Sequence, residues 1–124
     1  MAANTILVVD PDPDLTKLLA YILEEEGHKV TSAQSLTQAV DLLSKTRFDL
    51  IVTEAFGQTE VFSFDPSFLA ELSSLAGGTP IILFSTYAAD NAIRPGDFGL
   101  AEIVPKPFDI DKLVAKVALL LGKA

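Results

Sequence analysis

Apolar residues recur along this chain in two rhythms, short unbroken runs and helical stripes, and the two alternate from end to end. Thr5–Val9 (TILVV) is a continuous apolar run, the pattern of a strand buried on both faces of a parallel sheet. Asp12 followed by Pro13 reads as an N-cap and a first-turn proline. Leu15, Leu18, Leu19, Ile22 and Leu23 then recur at helical spacing, a stripe expected to face the core, and Gly27 stands where a left-handed C-cap ends a helix. A short second strand is expected over 29–32, then a helix capped by Ser35 with Leu36, Ala39, Val40 and Leu43 inward. Residues 49–53 (DLIVT) form a third apolar run. Asp65 and Pro66 open a third helix through Phe68, Leu72 and Leu75, closed by Gly77 and Gly78.

Thr79 and Pro80 lead into a fourth strand over 81–84, with the proline at the one place a strand tolerates it, its start. Residues 88–94 have the length of two helical turns before Pro95 and Gly96 break the pattern. A brief fifth strand over 102–104 follows. Asp109 then caps a last helix with Ile110, Leu113, Val114, Val117 and Leu121 inward. Strands alternating with helices imply an α/β fold: a parallel sheet with right-handed crossovers and helices on both faces. No repeat or linker divides the chain, so residues 1–124 are expected to form one domain.

Composition narrows the chemistry. With 49% hydrophobic residues the chain can fill a layered core, and with no cysteine it has no disulfide, thiol nucleophile or cysteine metal site. One histidine, His28, argues against a histidine metal cluster or a Ser-His-Asp triad. The net charge of −8 argues against nucleic-acid binding, which needs a basic face. The first apolar run is too short for a signal segment and no run is long enough to span a membrane, so a cytoplasmic location without membrane contact is expected.

In a sheet of this kind ligands bind beyond the carboxyl ends of the strands. There the first strand runs into Asp10, the third into Glu54, the fourth into Ser85 and the fifth, after Pro105, into Lys106. Singly, each is an ordinary turn or cap residue. Together, two carboxylates, a hydroxyl and an ammonium at one rim suit a divalent cation and a phosphoryl group.

The segments ILVVDPDPDL, FDLIVTE, TPIILFS and IVPKPFD resemble, in order and spacing, the signature segments of the response-regulator receiver domain. The resemblance implies a flavodoxin-like, doubly wound five-stranded sheet of order 2-1-3-4-5 in a three-layer α/β/α sandwich. It also implies the family's chemistry: an acidic pair after the first strand binding magnesium, an aspartate after the third accepting phosphoryl from a histidine kinase, and a hydroxyl and a lysine contacting that group. By position Asp10 is the first acid, Glu54 stands at the acceptor, Ser85 is the hydroxyl and Lys106 the lysine. Phe56 offers its backbone carbonyl to the metal.

Three departures qualify that chemistry. Glu54 replaces the acceptor aspartate, and its extra methylene moves the carboxylate by roughly a bond length, against tolerances of ~1 Å. Pro11 takes the second acidic position and has no side-chain ligand to give. The acid left to reach inward is Asp12, which competes with its own capping role. Ile103 stands where the family has an aromatic switch residue. The resemblance therefore implies an atypical, pseudo-receiver variant: no required cofactor, a weakened or absent magnesium site, no enzymatic turnover, and action through protein contacts. The partners it implies are a sensor histidine kinase, another regulator or an output domain, or a second copy through the face of the fourth helix, fifth strand and last helix. One alternative is a receiver phosphorylated on Glu54 or another rim carboxylate such as Asp10. Another is a haloacid-dehalogenase-like phosphohydrolase, suggested by Asp10-Pro11-Asp12. Against it stand the shortness of the chain and the want of a later acidic pair in a metal-binding context.

Overall fold

In a computed structural model that describes residues 4–54, 66–85, 100–105 and 110–121, the apolar runs are strands and the stripes are helices. The strands are β1 (Thr5–Val9), β2 (Lys29–Ala33), β3 (Leu50–Thr53), β4 (Ile81–Ser85) and β5 (Glu102–Pro105). The helices are α1 (Pro13–Glu25), α2 (Leu36–Lys45), α3 (Pro66–Ala76) and α4 (Ile110–Leu120). Every strand pairing is parallel and the order is β2-β1-β3-β4-β5, the doubly wound arrangement expected. Asp65, Asp109, residues 88–94, Pro95 and Gly96, and the side chains of Leu36, Phe68 and Ile110, lie outside the described residues.

Strand alternation sends successive side chains to opposite faces, and both faces are dry. Leu7, Val9, Ile51, Ile81 and Leu83 point to the face covered by α2 and α3, where Ala39, Leu72 and Ala76 meet them. Ile6, Val8, Leu50, Val52, Ile82 and Phe84 point to the other, against Leu19 and Leu23 of α1 and Leu113 and Val117 of α4. This is why the strands read as unbroken apolar runs.

Two expected core positions face outward instead. Leu18 is 42% exposed and Leu75 44% exposed. Each lies one residue, about 100° of helix, from a neighbour that takes the inner line, Leu19 and Ala76. A stripe wide enough to include them would need more sheet to cover than each helix has. Ile22, Val40 and Val114 are half-buried at the stripe margins.

The caps follow the sequence closely. The Asp12 carboxylate accepts from the backbone N–H of Asp14 at 3.0 Å and of Leu15 at 3.3 Å, with Pro13 in the first turn. At the other end, Gly27 has φ +91°, its N–H donates to Glu24 O, and His28 N–H donates to Leu23 O. That is a Schellman ending, which buries His28 beside the last turn. Because an L side chain is strained at this φ, Gly27→Ala is expected to cost about 1 kcal/mol in denaturant melts, with Gly27→Asn milder. Ser35 Oγ accepts from Gln38 N–H while Gln38 Oε1 accepts from Gln34 N–H, a capping box displaced by one residue. The third strand starts one residue later than its apolar run. Asp49 is exposed and clamps β1, its carboxylate accepting from Thr5 N–H at 2.8 Å.

Candidate functional site

From β1 the chain leaves for β2 on one side while β3 lies on the other, and the diverging connections open a crevice at the carboxyl ends. Asp10 follows β1 and Glu54 follows β3. The registered pair Val9 and Thr53 sets them level on neighbouring strands, which lie about 4.8 Å apart. Their backbones extend the ladder by one step: Asp10 N–H donates to Ala33 O at 3.0 Å and Glu54 N–H to Val9 O at 2.9 Å. Thr53 Oγ1 donates to Glu54 O at 2.7 Å.

Both acids are buried, Asp10 to 4% and Glu54 to 5% exposure. Carboxylates are rarely withdrawn from water unless positive charge or hydrogen bonds compensate them. Two of them side by side at the rim of a sheet concentrate negative charge where the fold would receive a ligand. Asp10 Oδ1 also accepts from Asp12 N–H at 3.0 Å, an Asx-type turn that spans Pro11.

Asp12 does not serve as the inward acid. It is exposed, and its carboxylate is committed to the two amides at the start of α1. Asp12→Ala should accordingly cost ~1 kcal/mol of stability through the lost cap, read in thermal or urea melts. Ser85 is the last residue of β4, opposite Pro105 at the end of β5. The Ser85 side chain, Phe56 and Lys106 lie outside the described residues.

Magnesium demands near-octahedral oxygen coordination. Here Asp10 and Glu54 are the buried carboxylates, Pro11 has no side-chain ligand and Asp12 caps α1. Among the described residues no group of three or more acidic or histidine side chains gathers to hold a metal.

A further element was not visible in the sequence. Thr16 of α1 is buried; its hydroxyl donates to Pro13 O and accepts from Gln34 Nε2 at 3.0 Å. The bond ties the first turn of α1 to the end of β2, whose Ala33 carbonyl holds Asp10. A threonine within an apolar stripe was the one available signal. Ile103 of β5 is half-buried against the α2–α3 side of the core.

Comparison with known proteins returns one family. The model of the response regulator receiver domain matches residues 6–56, from β1 through β3 and both buried carboxylates. The transcriptional regulatory protein CpxR of Escherichia coli is 31% identical over 124 residues, covering 98% of this chain and 50% of CpxR. The transcriptional regulatory protein GlrR of Escherichia coli is 28% identical over 109 residues, covering 87% of this chain and 24% of GlrR. The chain thus spans between about a quarter and a half of these curated relatives. Among solved structures, the receiver domain of the Francisella response regulator 1452 superposes with a TM-score of 0.82 at 26% identity, covering 97% of this chain and 98% of that one.

Proposed function

The chain is a response-regulator receiver domain of two-component signalling, and from that premise we propose that it works without phosphotransfer, as an atypical receiver held in one state. The observation that carries this reading is the buried Glu54 level with Asp10, with Pro11 and an outward Asp12 where a second metal-binding acid would stand. A longer acceptor side chain and a missing metal ligand both act against the same reaction. In this reading Lys106 pairs with the Glu54 carboxylate and Ser85 stays beside them, a fixed internal contact in place of a phosphoryl group. Glutamate brings one negative charge where a phosphorylated side chain brings up to two, so the mimicry is partial. Ile103 has no ring to move between exposed and buried positions, which fits a domain that is not switched.

Receiver domains are in general signalling domains rather than enzymes, and response regulators interact with histidine kinases and output domains. For this chain we propose residues 1–124 as a single domain, no enzymatic turnover, a cytoplasmic location, and action through contacts with a kinase, another regulator or an output domain. Among the described residues no helix is long and apolar enough to cross a membrane. The acidic balance concerns this domain's own surface. Relatives named as transcriptional regulators do not support extending it to an exclusion of nucleic acid.

The metal cradle gives the test. A ligand that binds only the folded state raises its stability by about 1.4 kcal/mol at ten times Kd, several degrees in Tm for a domain of this size. The reading predicts the same Tm in millimolar magnesium as in EDTA at matched ionic strength. A rise of several degrees would show an intact cradle and sink the reading. The second reading, phosphorylation of Glu54 or Asp10, draws on the burial of both acids at the ligand-binding rim, and the intact mass after incubation with acetyl phosphate and magnesium separates the two.

A further inference from the structure

At the amino ends of the strands, away from the carboxylate pair, a groove of about 280 Å³ opens between the C-terminal ends of α2 and α3. Its lining is mostly polar, with the half-buried Leu43 and the exposed Leu75 as its apolar contact points. Its charged lining residues are Lys45 and Arg47, with no acid among them. Lys45 pairs with Asp41 at 3.2 Å, both ends well exposed, and Arg47 is in no ion pair among the described residues. On a chain of net charge −8 the groove thus carries cations in its lining, one of them shared with Asp41.

The opposite face carries the complement. Tyr21 is 64% exposed on the outer side of α1, one turn from the exposed Leu18, and residues three and four apart share a helix face. The helix then ends in Glu24, Glu25 and Glu26, all exposed, with Lys29 the nearest cation along the chain. The Tyr21 ring, with Lys17 and Leu18 one turn before it and Glu24 and Glu25 one turn after, offers its acidic end to a groove whose own charged lining is Lys45 and Arg47. Within one chain they cannot meet, because α1 packs on one face of the sheet while α2 and α3 pack on the other.

We propose that the occupant of the groove is a second copy of this chain, which inserts Tyr21 beside Leu75 and sets Glu24 and Glu25 against Lys45 and Arg47. The contact is heterologous, so each copy keeps a free groove and a free α1 face, and association runs head to tail. It uses neither the carboxylate rim nor the last helix, and it holds whether or not Glu54 takes a phosphoryl group. Tyrosine is a favoured interface anchor, and like charges set against each other across a contact oppose binding more than the loss of a single rim pair. At ~0.1 M salt the screening length is ~10 Å, which damps the repulsion between acidic chains while leaving contact pairs in force.

Sedimentation velocity of the intact chain over a wide concentration range tests this. The weight-average sedimentation coefficient should rise with concentration at ~0.1 M salt and rise less at ~1 M, where the screening length falls to ~3 Å. The double variants K45E/R47E and E24K/E25K should each sediment as monomers, and Tyr21→Ala should weaken association on the order of tenfold. An equimolar mixture of the two double variants should associate again, since each groove then faces a helix end of opposite charge. That rescue also shows both variants folded. A wild-type chain monomeric throughout overturns the proposal. So does association that persists in both double variants, which assigns it to another face, or a mixture that stays monomeric.

Discussion

Phe84→Ala is expected to remove about 3–5 kcal/mol of stability, the largest loss from a single side chain in the described core. Phe84 is 1% exposed and is the bulkiest fully buried side chain among the described residues. It sits on β4, between β3 and β5, with Ile82, Leu113 and Val117 in the same apolar cluster. Truncation loses the transfer free energy of the ring and leaves a cavity that paired strands on both sides cannot close. Against a typical total of roughly 5–15 kcal/mol, such a loss leaves a marginal domain. The neighbouring Ser85 ends the same strand, so the damage extends to the rim. Leu75→Ala is the matching control: as an exposed position it should change stability by no more than ~0.5 kcal/mol. Urea melts of the two variants give both numbers, and similar losses would contradict the assignment of the faces.

The second large effect is a gain. The double variant P11D/E54D is expected to accept phosphoryl from acetyl phosphate in magnesium, with E54D alone or P11D alone giving little. The two substitutions repair different parts of one reaction. Glu54→Asp draws the nucleophilic carboxylate back by about one bond length, within the ~1 Å that positioning tolerates. Pro11→Asp returns a hard oxygen ligand beside Asp10, without which the incoming charge is not neutralised. Groups that act as a unit are strongly non-additive, so the pair should exceed the sum of the singles. Intact mass across the four proteins measures this. Equal, full modification of both single variants would show that the parts are independent and that the stated cause is wrong.

Much of the fold was legible because its rules are local. Buried parallel strands must be apolar on both faces, which marked β1 and β3 without ambiguity. Asp12-Pro13, Ser35 and Gly27 each have one common structural use, and each was found in it. What the sequence did not disclose depends on neighbours distant in the chain. Leu18 and Leu75 lie within helical stripes, and only the width of the sheet beneath decides that they face out. The bond from Gln34 to Thr16 joins residues 18 apart along the chain, and no periodicity announces it. In the site, Asp10 and Glu54 could be placed from the strand ends, since a parallel register brings consecutive carboxyl ends to one rim. Whether Asp12 turned inward or capped its helix was a competition between two uses of one carboxylate. The amides of Asp14 and Leu15 won it.

In the proposed reading this receiver domain does not take up a phosphoryl group. The direct test is the intact mass of the wild-type chain after incubation with acetyl phosphate and magnesium, alongside P11D/E54D as the positive control. An unchanged mass is expected for the wild type and one added phosphoryl group for the double variant. A stoichiometric gain of one phosphoryl group by the wild type, lost in Glu54→Gln, would contradict it.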